Sequence, residues 1–88
     1  MIDKEMQIAI QSLQDWVYRN DGIEKDFVLK NFRSTLDFIN QVGELAEKMN
    51  HHPDISVKYN KVNLRLTTHD AQAITQKDVE LARAIDAI

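Results

Sequence analysis

Hydrophobic residues along this chain change their period several times, and each change marks an element. Ile2, Met6, Ile10 and Leu13 recur at helical spacing, which predicts a first helix over 3–13 with Asp3 as its N-cap. From Trp16 to Phe32 the residues become β-favouring, broken only by Asn20-Asp21-Gly22. This predicts strands at 15–19 and 23–30 joined by a tight turn. Ser34-Thr-Leu-Asp37 has the form of a helix-start box, and Leu36, Ile39, Val42, Leu45, Ala46 and Met49 keep helical spacing to about Asn50. The chain then alternates on either side of Asn60-Lys61, which predicts a second hairpin. With a two-residue loop there, Tyr59 faces Val62, Val57 faces Leu64 and Ile55 faces Leu66, so every apolar residue meets another. Thr75, with Asp78 three residues on, opens a last helix whose buried stripe is Val79, Leu81, Ala82 and Ile85.

The resulting order, αββαββα, predicts an α+β two-layer sandwich: a four-stranded antiparallel sheet with the helices on one face. In the second hairpin, Ile55, Val57, Tyr59, Val62, Leu64 and Leu66 form the face expected under the helices. Ser56, Lys58, Asn63, Arg65, Thr67 and, by continued alternation, His69 form the other. The 88 residues make a single domain over 1–88. A chain of this size buries only roughly 60–65% of its unfolded surface, so association would help it. The 23–30 segment has no proline to blunt it, reads as the edge strand, and is the expected site of pairing with a twin.

Composition narrows the class. There is no cysteine, hence no disulfide framework and no thiolate metal site, as befits a reducing cytoplasm. The first residues lack the basic-then-apolar order of a secretory signal, and no apolar run approaches the ~20 residues of a membrane span. A soluble, cytoplasmic protein is expected. A formal charge of −3 argues against non-specific attraction to nucleic acid.

The candidate chemistry sits where helix two should end. His51-His52-Pro53 follows Glu47 there, and the chain's remaining histidine, His69, returns past the second hairpin. The predicted register puts His52 opposite His69. Histidine is the side chain best suited to moving protons near neutral pH, so three imidazoles at one end of one hairpin make a candidate acid–base site. Other readings exist for each residue. A histidine pair after a helix can be a solvated C-terminus. Three imidazoles can hold zinc, although adjacent histidines project in different directions. Asp78 is accounted for by the Thr75-x-x-Asp78 cap and is read as structural rather than catalytic.

The spacing Glu47, three residues, His51-His52-Pro53, five residues, Tyr59, nine residues, His69, eight residues, Asp78 resembles the signature of the pterin-4a-carbinolamine dehydratases. Trp16, the Phe32 to Phe38 approach to a helix, Tyr59-Asn60-Lys61-Val62, Thr68-His69-Asp70 and Leu81-Ala82 follow in family order, so the likeness covers nearly the whole chain. It implies dehydration of a 4a-hydroxytetrahydropterin to a quinonoid dihydropterin, in pterin recycling, with no cofactor and no metal. Carried onto matching positions, His51 and His69 would be the acid–base pair and His52 would hold the pterin. Glu47 would orient an imidazole or accept from the pterin's amino groups, while Thr67 and Thr68 would sit at the pocket rim. The resemblance also implies a homodimer with an eight-stranded sheet, or a homotetramer built through helix two, and an aromatic amino acid hydroxylase as a partner. A competing class within the same family is a non-enzymatic, coactivator-like dimerisation partner.

Two positions depart from the family pattern. Ile55 stands where an aromatic residue is common, and Gln72-Ala73-Ile74-Thr75 replaces a Gly-Gly-Leu-Thr stretch. Losing a glycine removes a backbone position free to take positive φ or to approach a ligand closely.

Overall fold

The computed structural model describes residues 2–88. Its elements follow the predicted order: α1 (Lys4–Gln11), β1 (Val17–Arg19), β2 (Gly22–Val28), α2 (Phe32–Met49), β3 (Asp54–Lys58), β4 (Lys61–Leu66) and α3 (Gln76–Asp86). The four strands form one antiparallel sheet in the order β1-β2-β4-β3. The α+β sandwich read from the hydrophobic pattern is therefore the observed architecture.

Local chemistry explains most boundaries. Asp3 caps α1 by accepting from the Met6 amide at 2.8 Å. Asn20 and Asp21, at φ 50° and 61°, make the two-residue turn between β1 and β2, where consecutive left-handed residues match the twist of the strands. Helix α2 begins earlier than its sequence box implies. Its N-cap is Asn31, whose side chain accepts from the Ser34 amide at 2.8 Å, so Ser34 lies inside the first turn rather than at the cap.

Ile23, Phe27, Val62, Leu64 and Leu66 line the helix-covered face of the sheet, where they meet Phe38, Val42, Val79, Leu81 and Ile85. Lys25 shares that face without being apolar. Its ammonium lies over the Trp16 and Phe27 rings, 6.0 and 5.1 Å from their centroids, and reaches Asp86 at 2.9 Å, while Trp16 Nε1 donates to the same carboxylate at 2.9 Å. The opposite face is polar and open: Asn63 and Arg65 of β4 bond Glu24 and Asp26 of β2. Every buried polar side-chain atom among the described residues has a partner.

Three expectations are corrected. First, the second hairpin turns at Tyr59-Asn60, with the positive φ of 54° on Tyr59, so Ile55 faces Leu64 and Val57 faces Val62. Parity is unchanged, and apolar residues still oppose apolar residues; alternation alone cannot distinguish registers two residues apart. Second, β2 is interior, bonded to β1 on one side and to β4 on the other, so it is not the edge. The edges are β1 and β3. Third, β3 overhangs the helices. Ile55, Val57 and Tyr59 are 39%, 43% and 62% exposed, whereas Val62, Leu64 and Leu66 of its neighbour are covered. Leu36 of α2 is likewise exposed, and Thr35 and Phe38 take the buried positions there.

Candidate active site

The end of α2 aims the histidine pair. The His51 amide donates to the Ala46 carbonyl at 3.1 Å and the Asn50 amide to Glu47 at 3.3 Å, a Schellman arrangement around Asn50 at φ 52°, ψ 44°. Asparagine tolerates that left-handed backbone better than most residues. The helix therefore stops sharply, and Pro53 leads the chain into β3.

The third histidine arrives from the other direction. After Leu66 the chain leaves the sheet, and Thr68 pairs with Ala73 in an isolated bridge that closes a turn over 69–72. His69 is exposed on that turn, not on the polar face of β4 as continued alternation predicts. With strand pairing ending at Asp54 and Arg65, the hairpin does not set His52 opposite His69. Proximity survives, since His51, His52, His69, Thr67 and Thr68 line one cleft of about 390 Å³. Lys77, in the first turn of α3, also lines it. A larger groove of about 560 Å³ lies between α2 and α3, but it holds no histidine.

The two adjacent imidazoles engage different carboxylates. His51 Nε2 lies 2.5 Å from Oδ1 of Asp78, whose side chain is completely buried, and the His51 side chain is only 11% exposed. The other oxygen of Asp78 accepts from the Thr68 hydroxyl at 2.8 Å and from the Thr75 amide at 2.9 Å, and Thr68 and Thr75 share a further hydroxyl bond at 2.7 Å. One carboxylate thus caps α3, ties down the turn that carries His69, and fixes the His51 ring. The Thr75-x-x-Asp78 pattern accounts for the first of these alone. The signal for the others lay in the signature spacing, which ends on Asp78. By contrast, His52 Nε2 pairs with Glu47 at 2.5 Å in the open, the two side chains being 57% and 77% exposed.

Glu47 therefore orients His52 rather than His51, and it is not among the residues lining the cleft. Thr67 points its hydroxyl to the Asp21 carbonyl at 2.7 Å, which fastens the rim to the β1–β2 turn. Among the described residues, no three His, Cys, Asp or Glu side chains converge in a way that could hold a metal ion. Chemically, the arrangement offers one imidazole held by a buried anion, one held by an exposed anion and one exposed on a turn, around a single cleft.

A family model described as pterin 4 alpha carbinolamine dehydratase matches residues 1–88. A relative bearing that family name from Chloroflexus aurantiacus is 49% identical over 86 residues, covering 96% of this chain and 92% of its own. Another from Sulfurisphaera tokodaii is 42% identical over 88 residues, covering 100% and 95%. A solved structure from Brucella melitensis, described as a transcriptional coactivator/pterin dehydratase, superposes with a TM-score of 0.91 at 32% identity, covering 99% of this chain and 95% of that one.

Proposed function

This chain belongs to the pterin-4-alpha-carbinolamine dehydratase family, and we propose that it removes water from a 4a-hydroxytetrahydropterin by proton transfer between histidines. In this reaction the C4a–O bond breaks as the hydroxyl gains a proton and departs as water. The N5–H proton is lost, and its electron pair forms the C4a–N5 double bond of the quinonoid product. One proton is supplied and one removed, so two groups of intermediate basicity suffice.

The observation that carries this reading is the His51–Asp78 pair at the wall of a cleft shared with His52 and His69. In the neutral ring, donation from Nε2 to Asp78 leaves the lone pair on Nδ1, which suits His51 to take the N5 proton. His69, on its exposed turn, would then protonate the leaving hydroxyl. His52, oriented by Glu47, would hold the pterin ring, with Thr67 and Thr68 at the rim. No step calls on a metal. The direct test is acceleration of 4a-hydroxytetrahydropterin dehydration in the presence of a chelator, compared with His51→Ala and His69→Ala.

A second reading, a coactivator-like binding role, has two observations in its favour: the description of the Brucella relative as a transcriptional coactivator, and the uncovered β3 edge. A pure binding module would leave the three histidines without work. In both readings the chain acts as an oligomer, with β3 as the strand that pairs and α2 available for contact between dimers.

A further inference from the structure

An ionised carboxylate only accepts hydrogen bonds, so the fully buried Asp78 dictates where its neighbours keep their protons. The Thr68 hydroxyl has one proton to give, and Asp78 Oδ2 takes it at 2.8 Å. In the 2.7 Å bond between the Thr68 and Thr75 hydroxyls, Thr68 must then be the acceptor and Thr75 the donor. The two hydroxyls thus form a row that runs one way, from Thr75 through Thr68 to Asp78. On the other oxygen of the carboxylate the donor is His51, through Nε2 at 2.5 Å.

Nothing intrinsic to aspartate holds the plane of its carboxylate, because rotation about χ2 is soft. The bonds on Oδ2 hold it, and so aim Oδ1 at the imidazole. One of them comes from the Thr75 amide at 2.9 Å, but Thr75 is the N-cap of α3 and moves with the helix that carries Asp78. Among the described residues, the Thr68 hydroxyl alone reaches Oδ2 from outside that helix. Its own place is set separately: the Thr68 amide donates to Ala73 at 3.0 Å and its carbonyl accepts from Ala71 at 3.1 Å. A β-branched side chain adds a stiff χ1 to that fixed backbone.

We infer that Thr68, with Thr75 behind it, is a positioning residue for the proton transfer: the hydroxyl row holds the Asp78 carboxylate so that His51 keeps its proton on Nε2 and its lone pair on Nδ1. With its proton spent on Asp78, the Thr68 hydroxyl has none to offer a pterin, although the residue lines the cleft. The effect on turnover rests on the dehydratase reading; the order of the bonds does not.

Thr68→Val keeps the size and branching of the side chain and removes the hydroxyl, while Thr68→Ser keeps the hydroxyl. Thr68→Val should lower kcat roughly fivefold with KM within about twofold of wild type, and Thr68→Ser should recover most of the loss. Thr75→Val removes only the polarisation of Thr68 and should lower kcat about twofold. A raised KM at unchanged kcat in Thr68→Val would mean that the hydroxyl serves the substrate, and would overturn the inference. Proton NMR without substrate gives a second readout, since the chain has three histidines and His51→Gln identifies the ring proton by its loss. The Nε2 proton should lie far downfield and be protected from water in the wild type. In Thr68→Val it should exchange roughly tenfold faster, the effect of losing one hydrogen bond to a charged group, and in Thr68→Ser the protection should return. A hydroxyl that only braced the turn would lower Tm and leave this proton unmoved, so unchanged exchange in folded Thr68→Val would overturn the inference. If Thr68→Val does not fold, Thr75→Val carries the same comparison at smaller amplitude, and wild-type exchange there would overturn it equally. A wild type without dehydratase activity would defeat the dehydratase reading and leave the ring proton to decide the role of the row.

Discussion

His51 and Asp78, 27 residues apart in sequence, meet at 2.5 Å with the carboxylate wholly buried and the imidazole nearly so. A buried carboxylate is costly unless paired and hydrogen-bonded. Here it has Thr68, Thr75 and His51 as partners, so cap, turn and imidazole are bound into one unit.

Asp78→Ala should therefore strand all three partners and cost about 3 kcal/mol, lowering Tm by more than about 10 °C. Asp78→Asn keeps the shape and should cost about 1 kcal/mol while lowering turnover roughly tenfold by releasing the His51 ring. Thermal melts and steady-state kinetics separate the two effects. Wild-type turnover in Asp78→Asn would leave Asp78 as a helix cap alone.

The Glu47–His52 pair is a contrasting case. Both side chains stand mostly in water, so Glu47→Ala should move Tm by no more than about 2 °C. It should raise KM a few-fold with kcat nearly constant, because His52 is proposed to hold substrate rather than transfer protons. A fall in kcat with KM unchanged would contradict that division of labour.

Gln72, in the turn beside His69, sits at φ 53° where the family pattern offers glycine. The left-handed backbone is thus kept without the residue that adopts it freely, at a cost of about 1 kcal/mol. Gln72→Gly should raise Tm by roughly 2–5 °C, glycine's greater unfolded-state entropy offsetting part of the relief, with turnover retained. A lower Tm would mean that the Gln72 side chain itself holds the turn.

Gly22 leaves room for a neighbouring side chain. A Cβ there would lie 2.5 Å from the Arg65 guanidinium carbon, and that guanidinium donates to the Arg19 and Asn20 carbonyls at 2.8 and 2.5 Å. Gly22→Ala should displace Arg65 from the β1–β2 turn and lower Tm by about 5 °C, through loss of roughly 1 kcal/mol of hydrogen bonding. Combining it with Arg65→Ala should add little further loss, which a double-mutant cycle would read as coupling.

Element types were legible because period and turn chemistry agreed: Asn20-Asp21-Gly22 carries the residues of a tight turn, and Thr75-x-x-Asp78 marks the start of α3. Strand order was not legible. Nothing local in β2 says that β4 will lie beside it, and freedom from proline suits an interior strand as well as an edge. The Tyr59-Asn60 turn was hidden because asparagine is the better candidate for positive φ, yet tyrosine takes it. The α2 cap was hidden because Ser34 stands closer than Asn31 to Leu36, where the apolar period begins. In the site, the closeness of the histidines was legible from the hairpin between them, and the place of Thr67 and Thr68 beside them was what the family resemblance implied. Which carboxylate serves which imidazole was not legible, because that depends on the Schellman turn at Asn50, which directs adjacent histidines to opposite partners.

If His51 and His69 move the two protons of a metal-independent dehydration, one measurement reads both at once. Turnover of 4a-hydroxytetrahydropterin measured with chelator present should be well above the uncatalysed rate for the wild type and lower by roughly 10²-fold in His51→Ala and in His69→Ala. A folded double variant with wild-type turnover, or wild-type activity abolished by chelation and restored by zinc, would contradict it.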